Sequence, residues 1–113
     1  MIGRGEVWWA DFGPAHGSAP AFQRPALVIS ADSFNRSAMK TIIVAAITTS
    51  QRLARQPGNV ILPPGTGGLA QESVVNVSQL ATVDKEQLVE RLGTLGAGFM
   101  RQVDSGLSLV LDL

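Results

Sequence analysis

The chain has 113 residues, 45% of them hydrophobic and 16% charged, with no cysteine and a single histidine, His16; this is one domain, 1–113, with a real core, and disulfides, thiolate metal sites and cysteine nucleophiles are excluded. No run approaches the roughly 18 apolar residues of a membrane span, and "MIGRGEVWWADFG" lacks the apolar centre of a signal peptide, so no membrane partner and a cytoplasmic location are expected. The formal net charge of zero hides an asymmetry: residues 1–60 carry six basic and three acidic groups, 61–113 the reverse, so an anionic ligand is expected to meet the N-terminal half if the fold gathers its arginines on one face.

In chain order, "EVWWADF" (6–12) is an aromatic and β-branched run closed by Gly13-Pro14, a strand ended by a turn signal. "PALVIS" (25–30) predicts the second strand, with Pro25 at its first residue fixing the backbone and pressing Arg24 into extended geometry. Asp32, Ser33 and Asn35 predict a turn or one helical turn before "TIIVAAITT" (41–49), an apolar run unsuited to a sheet edge. "QRLARQPG" (51–58) reads as a polar loop, "NVILP" (59–63) as a fourth strand, "PGTGGLAQE" (64–72) as a connection and "SVVNVSQL" (73–80) as a half-buried strand. "TVDKEQL" (82–88) suggests a turn with a short helical piece, and "VERLGTL" (89–95) a last brief strand. Met100, Val103, Leu107 and Val110 recur at three- and four-residue steps, so the tail from Gly98 onward predicts an amphipathic helix despite Gly106. Short strands without helices between them exclude a parallel α/β fold and predict a mainly β barrel or bent sheet with a C-terminal helix. The large apolar fraction on so small a chain fits a homodimer.

Candidate chemistry is sparse. The glycine cluster 64–72 lacks the Gly-Lys-Ser/Thr ending of a phosphate loop. His16 is a possible general base, but a lone histidine in a small-residue loop is more commonly just exposed. Trp8 and Trp9 must face opposite sides of a strand, so one of them is free for a surface, either to stack a base or to pack. Arg24 stands where a flexible loop becomes a strand, and Thr48 where an apolar strand opens into an arginine-bearing loop. Together they would offer a fixed cation and a hydroxyl donor to one phosphate, if the fold brings them together.

"GEVWWADFGPAHGS", then "QRPALVIS", "FNRS", "TIIVAAITT" and "ESVVNVSQLATVDKEQLVERLGTL", in this order and spacing, resemble the MazF/PemK family of toxin endoribonucleases over essentially the whole chain. The resemblance implies a small SH3-like β-barrel of the CcdB/PemK toxin type with a C-terminal helix. It also implies a homodimer that cuts single-stranded RNA at short sequences, without metal or other cofactor, through attack of the RNA's own 2′-hydroxyl. A MazE-type antitoxin would lay an acidic segment over the RNA groove. The family's arginine falls on Arg24 and its threonine on Thr48, which are expected to be catalytic; RNA contacts are expected at Ser18, Gln23, Arg52, Arg55, Asn76 and Ser78. Three departures leave the general base unassigned: Gly17-Ser18-Ala19-Pro20 replaces a segment that often carries an acidic residue, Ser78 stands where an acidic residue is usual, and Ala81 where an arginine is common. Two alternatives remain open. One is a gyrase-binding toxin of the same fold, although Leu111-Asp112-Leu113 lacks the tryptophan-bearing end it would need; the other is an interaction module that has lost its chemistry.

Overall fold

The apolar runs become strands of a single antiparallel sheet, followed by one long helix, in the computed structural model, which describes residues 1–14, 17 and 22–113. Among these residues the elements are β1 (Glu6–Asp11), β2 (Gln23–Val28), a one-turn helix α1 (Asp32–Asn35), β3 (Thr41–Thr48), β4 (Val60–Leu62), β5 (Ser73–Asp84), β6 (Leu88–Thr94) and α2 (Ala97–Leu111). Short 3₁₀ turns occupy Gln51–Arg55, Thr66–Gly68 and Lys85–Gln87. The strand order is β4-β5-β3-β2-β1-β6. The apolar third strand is therefore interior, and Ile42, Val44, Ala45, Ala46 and Ile47 bury side chains on both of its faces.

Most strand ends shift by one or two residues from the sequence expectation, and two of the differences have a reason in pairing. Strand β2 starts at Gln23 because Gln23 and Arg24 pair with Asp11 and Ala10 of β1, so Arg24 is already inside the strand. Pro25 is tolerated there because the β2–β3 pairing begins only at Ala26, beyond the residue that lacks an N–H. Strand β5 runs on to Asp84 instead of ending near Leu80. A bulge between Ala45 and Ala46 shifts the β3–β5 register from Ala46↔Asn76 to Ala45↔Leu80, and pairing then continues to Thr41↔Asp84. The expected turn with a helical piece contracts to Lys85–Gln87, where the Asp84 backbone N–H donates to Gln87 Oε1 at 2.7 Å.

Alternation sorts the core into two clusters. Val7, Leu27, Ala45, Ile47, Val75 and Val77 pack with Val103 of α2, while Ala10, Ala26, Val28, Ile42 and Val44 form a second cluster bordered by half-buried Ile2, Trp8 and Phe12. Trp8 and Trp9 take opposite sides as expected, but neither is fully buried. Glycines let backbones meet at two places. Gly106 in α2 lies against Gly58, and a Cβ there would overlap the Gly58 carbonyl oxygen. Gly68 and Gly93 make the same kind of approach, joining the turn after β4 to edge strand β6 and curling the sheet into the half-barrel expected of a small β fold.

Candidate active site

Strand register brings the two singled-out residues together. Ala26 pairs with Ala46 and Val28 with Val44, so two residues further along, at the open end of the sheet, Arg24 comes level with Thr48 on the same face. Both line a cleft of about 200 Å³ with Gln23, Pro25, Ile47, Thr49 and Ser73. Among the described residues the cleft lining contributes one cation and no carboxylate or imidazole.

The arginine is held from both sides along the chain. Phe22, two residues before it, has φ 57°, the left-handed region that a bulky side chain adopts only when its surroundings impose it. Here they do: the Phe22 N–H donates to the Gly13 carbonyl at 2.6 Å, and the Phe12 N–H donates to the Phe22 carbonyl at 2.9 Å. Pro25 fixes the other side. Arg24 takes part in neither ion pair found among the described residues, Arg4–Asp104 and Arg91–Glu6. Its Nε is buried and has no hydrogen-bond partner among those residues. An unmet buried donor costs roughly 1–3 kcal/mol, which an acceptor reaching this Nε would relieve.

The Thr48 Oγ1 accepts a hydrogen bond from the Ser50 backbone N–H at 3.1 Å, and the hydroxyl donates no hydrogen bond among the described residues. Ser73 is buried beside it and donates to the Gln71 carbonyl at 3.0 Å.

The other predicted residues fall into distinct places. Gln23 lines the cleft and accepts a hydrogen bond at Oε1 from Trp9 Nε1 at 2.8 Å. Arg52 and Arg55 are exposed on the 3₁₀ turn that leaves β3 just past Thr48, outside the cleft lining. Asn76 is only 3% exposed, and its Oδ1 accepts from both the Ser78 N–H (3.3 Å) and the Ser78 hydroxyl (2.8 Å). It is placed to hold Ser78, which is itself exposed in the bulged segment of β5, and offers no open surface of its own. Ser18, His16 and Ala19 lie outside the described residues. The arginines of the N-terminal half are only partly gathered: Arg4 is tied to Asp104 at 2.7 Å and to the Ile29 carbonyl at 2.9 Å. Sequence reading missed Thr49 and Ser73. Ser73 is brought in by β5, whose next residue, Val74, pairs with Thr48 across a long sequence separation that no local pattern encodes.

A larger cleft of about 460 Å³ lies elsewhere, between residues 37–40 and 84–86, and touches none of the predicted residues.

Residues 3–111 match the model of the PemK-like, MazF-like toxin of type II toxin–antitoxin systems. The chain belongs to this family. It is 49% identical over its full length to endoribonuclease MazF6 of Mycobacterium tuberculosis, covering 99% of that protein, and 36% identical over its full length to endoribonuclease EndoA of Bacillus subtilis, covering 97% of it. Among solved structures it resembles a mycobacterial endoribonuclease in complex with its cognate antitoxin, with a TM-score of 0.82 at 25% identity, covering all of this chain and 97% of that one. For this MazF-like chain the resemblance read from the sequence is thus borne out at the level of family and fold.

Proposed function

We propose that this chain is a toxin endoribonuclease that cleaves single-stranded RNA in the Arg24–Thr48 cleft and is neutralised by a cognate antitoxin. The observation that carries the reading is a guanidinium whose buried Nε has no partner among the described residues and a threonine hydroxyl oriented by the Ser50 N–H, lining one small cleft at the open end of the sheet. The relatives named endoribonuclease support the reaction class, and the solved complex with an antitoxin supports the inhibitor.

The chemistry that fits these two groups is attack of the 2′-oxygen on the adjacent phosphorus. The 2′-hydroxyl loses its proton, a five-coordinate phosphorane forms, and the 5′-oxygen leaves with a proton, giving a 2′,3′-cyclic phosphate and a 5′-hydroxyl. Arg24 would neutralise the developing charge with two aligned donors, and Thr48 would donate to a non-bridging oxygen. Arginine is too weak an acid to serve as the base, and no described residue of the cleft lining takes that role. The reaction needs no metal on this scheme. Cleavage in excess EDTA that yields 5′-hydroxyl ends is the expected result; cleavage abolished by chelation and restored by magnesium, or products with 5′-phosphates, refutes it.

The working unit would be a cytoplasmic homodimer. Exposed Ile61 on edge strand β4, with Leu109, Leu111 and Leu113 on and beyond α2, supplies apolar surface for such a contact. Sedimentation that gives only the 11.9 kDa monomer at micromolar concentration would argue against it. The antitoxin would compete with RNA for Arg24, Arg52 and Arg55, since an acidic peptide and a phosphate chain answer to the same charges. Independent binding of antitoxin and an uncleavable RNA would exclude that shared face.

A further inference from the structure

Trp9 and Gln23 form a unit that the phosphate chemistry does not use. Trp9 pairs with Pro25 across β1 and β2, and its Nε1–H donates to Gln23 Oε1 at 2.8 Å. An indole N–H can only donate, so this bond decides which way the glutamine amide points: its oxygen is turned to Trp9 and taken. The NH₂ group, with two donors, has no partner among the described residues.

The half-buried indole lines a second cleft of about 320 Å³ with Pro25, Thr49, Leu69, Gln71 and Ser73, a volume within the range of small-ligand sites (~300–1,000 Å³). Pro25, Thr49 and Ser73 also line the Arg24–Thr48 cleft, so the two are continuous, an apolar aromatic pocket opening beside a phosphate-sized cationic one. That pairing matches a nucleotide, whose base presents a flat face for stacking and a polar edge for hydrogen bonding.

We propose that, given RNA cleavage in the Arg24–Thr48 cleft, the base next to the scissile phosphate stacks on Trp9 and is read by Gln23 acting only as a donor. A free glutamine can turn either end of its amide to a base and discriminates little; Trp9 removes that freedom. Where the base turns its 4- or 6-position to Gln23, uracil O4 and guanine O6 can accept while the cytosine 4-amino and adenine 6-amino groups can only donate, so the site favours uracil or guanine. Against the amino group two donors would face each other and the hydrogen bond would go unmade.

The test is cleavage of a randomised single-stranded RNA library by the full chain, with sequencing of the product ends. For the wild type, one position adjacent to the cut should favour uracil and guanine by roughly tenfold. Gln23→Glu, whose carboxylate only accepts, should reverse the preference at that position alone. Trp9→Phe keeps a ring and removes the N–H, and should flatten it. Gln23 is exposed, so its substitution tests the idea even if the Trp9 variant folds poorly. A preference for adenine or cytosine at both adjacent positions in the wild type overturns the proposal. So does a uniform loss of cleavage in Gln23→Glu with the profile unmoved, which is what a merely structural role would give. A library left wholly uncut by the wild type would instead overturn the RNA-cleaving reading itself, whereas a cut library with an unmoved Gln23→Glu profile leaves that reading standing.

Discussion

Replacing Thr48 by valine changes the shape of the side chain little and removes one oxygen, which separates the donor role of the hydroxyl from its packing. Two interactions are lost. The first is the hydrogen bond from the Ser50 N–H, 3.1 Å long and part-buried, worth about 1 kcal/mol of stability. The second is the proton offered to the phosphorane, for which loss of one oxyanion donor gives about 3 kcal/mol in the transition state, a rate loss of roughly 10²-fold. The first loss cannot mimic the second: a domain of ordinary stability, about 5–15 kcal/mol, stays folded after losing about 1 kcal/mol, so the active fraction hardly changes. Single-turnover cleavage of a short RNA gives the rate, and binding of the same RNA with a deoxy sugar at the cut gives the affinity. The expected result is a rate down about 10²-fold with affinity changed severalfold at most, and substantial recovery in Thr48→Ser, which restores the hydroxyl. A valine variant that cleaves as fast as wild type, or one whose whole loss is in affinity, would refute the assignment of Thr48 to the transition state.

Arg24→Ala should lower the cleavage rate about 10²-fold or more, and Arg24→Lys should recover only part, since lysine keeps the charge but loses the planar pair of donors; single-turnover rates decide it. Arg52→Ala and Arg55→Ala should each weaken binding of an uncleavable RNA and reduce the slope of log affinity against log salt by up to about 1, with little change in the rate of the bound complex, if each arginine meets one phosphate. Gly106→Ala should displace α2 from Gly58, costing about 1–3 kcal/mol and lowering Tm by roughly 4–13 °C in a thermal melt, despite alanine's better helix propensity.

The parts of this molecule legible in its sequence are those encoded locally. The apolar run 41–49 announces an interior strand because both of its faces must be buried, and the three- and four-residue steps from Met100 announce a helix whose inner stripe is Met100, Val103 and Leu107, while the last step, Val110, is exposed. Arg24 and Thr48 could be singled out as strand-end residues beside polar loops. What made them a pair was not legible, because their adjacency depends on which strands become neighbours and in what register. The same holds for Ser73, for the tie from Trp9 to Gln23 and for the long course of β5, whose extension depends on a bulge opposite Ala45 and Ala46. Gly106 was misleading from sequence alone: in an isolated helix it is a weakness, and only the approach to Gly58 explains it.

Register links the stability of this fold to its chemistry. A slip of one residue between β2 and β3 would send Arg24 and Thr48 to opposite faces of the sheet, and no loop movement could bring them back. Two features resist such a slip: the buried alternation of Leu27, Ala45 and Ile47 against one cluster with Ala26, Val28 and Val44 against the other, and Pro25, whose missing N–H suits it to lie before the β2–β3 pairing begins. Core packing on both sides of the sheet thus does for this cleft what second-layer side chains do in sites built on loops. It holds a cation and a hydroxyl in fixed relation while leaving the end of the sheet open to a flexible, charged strand.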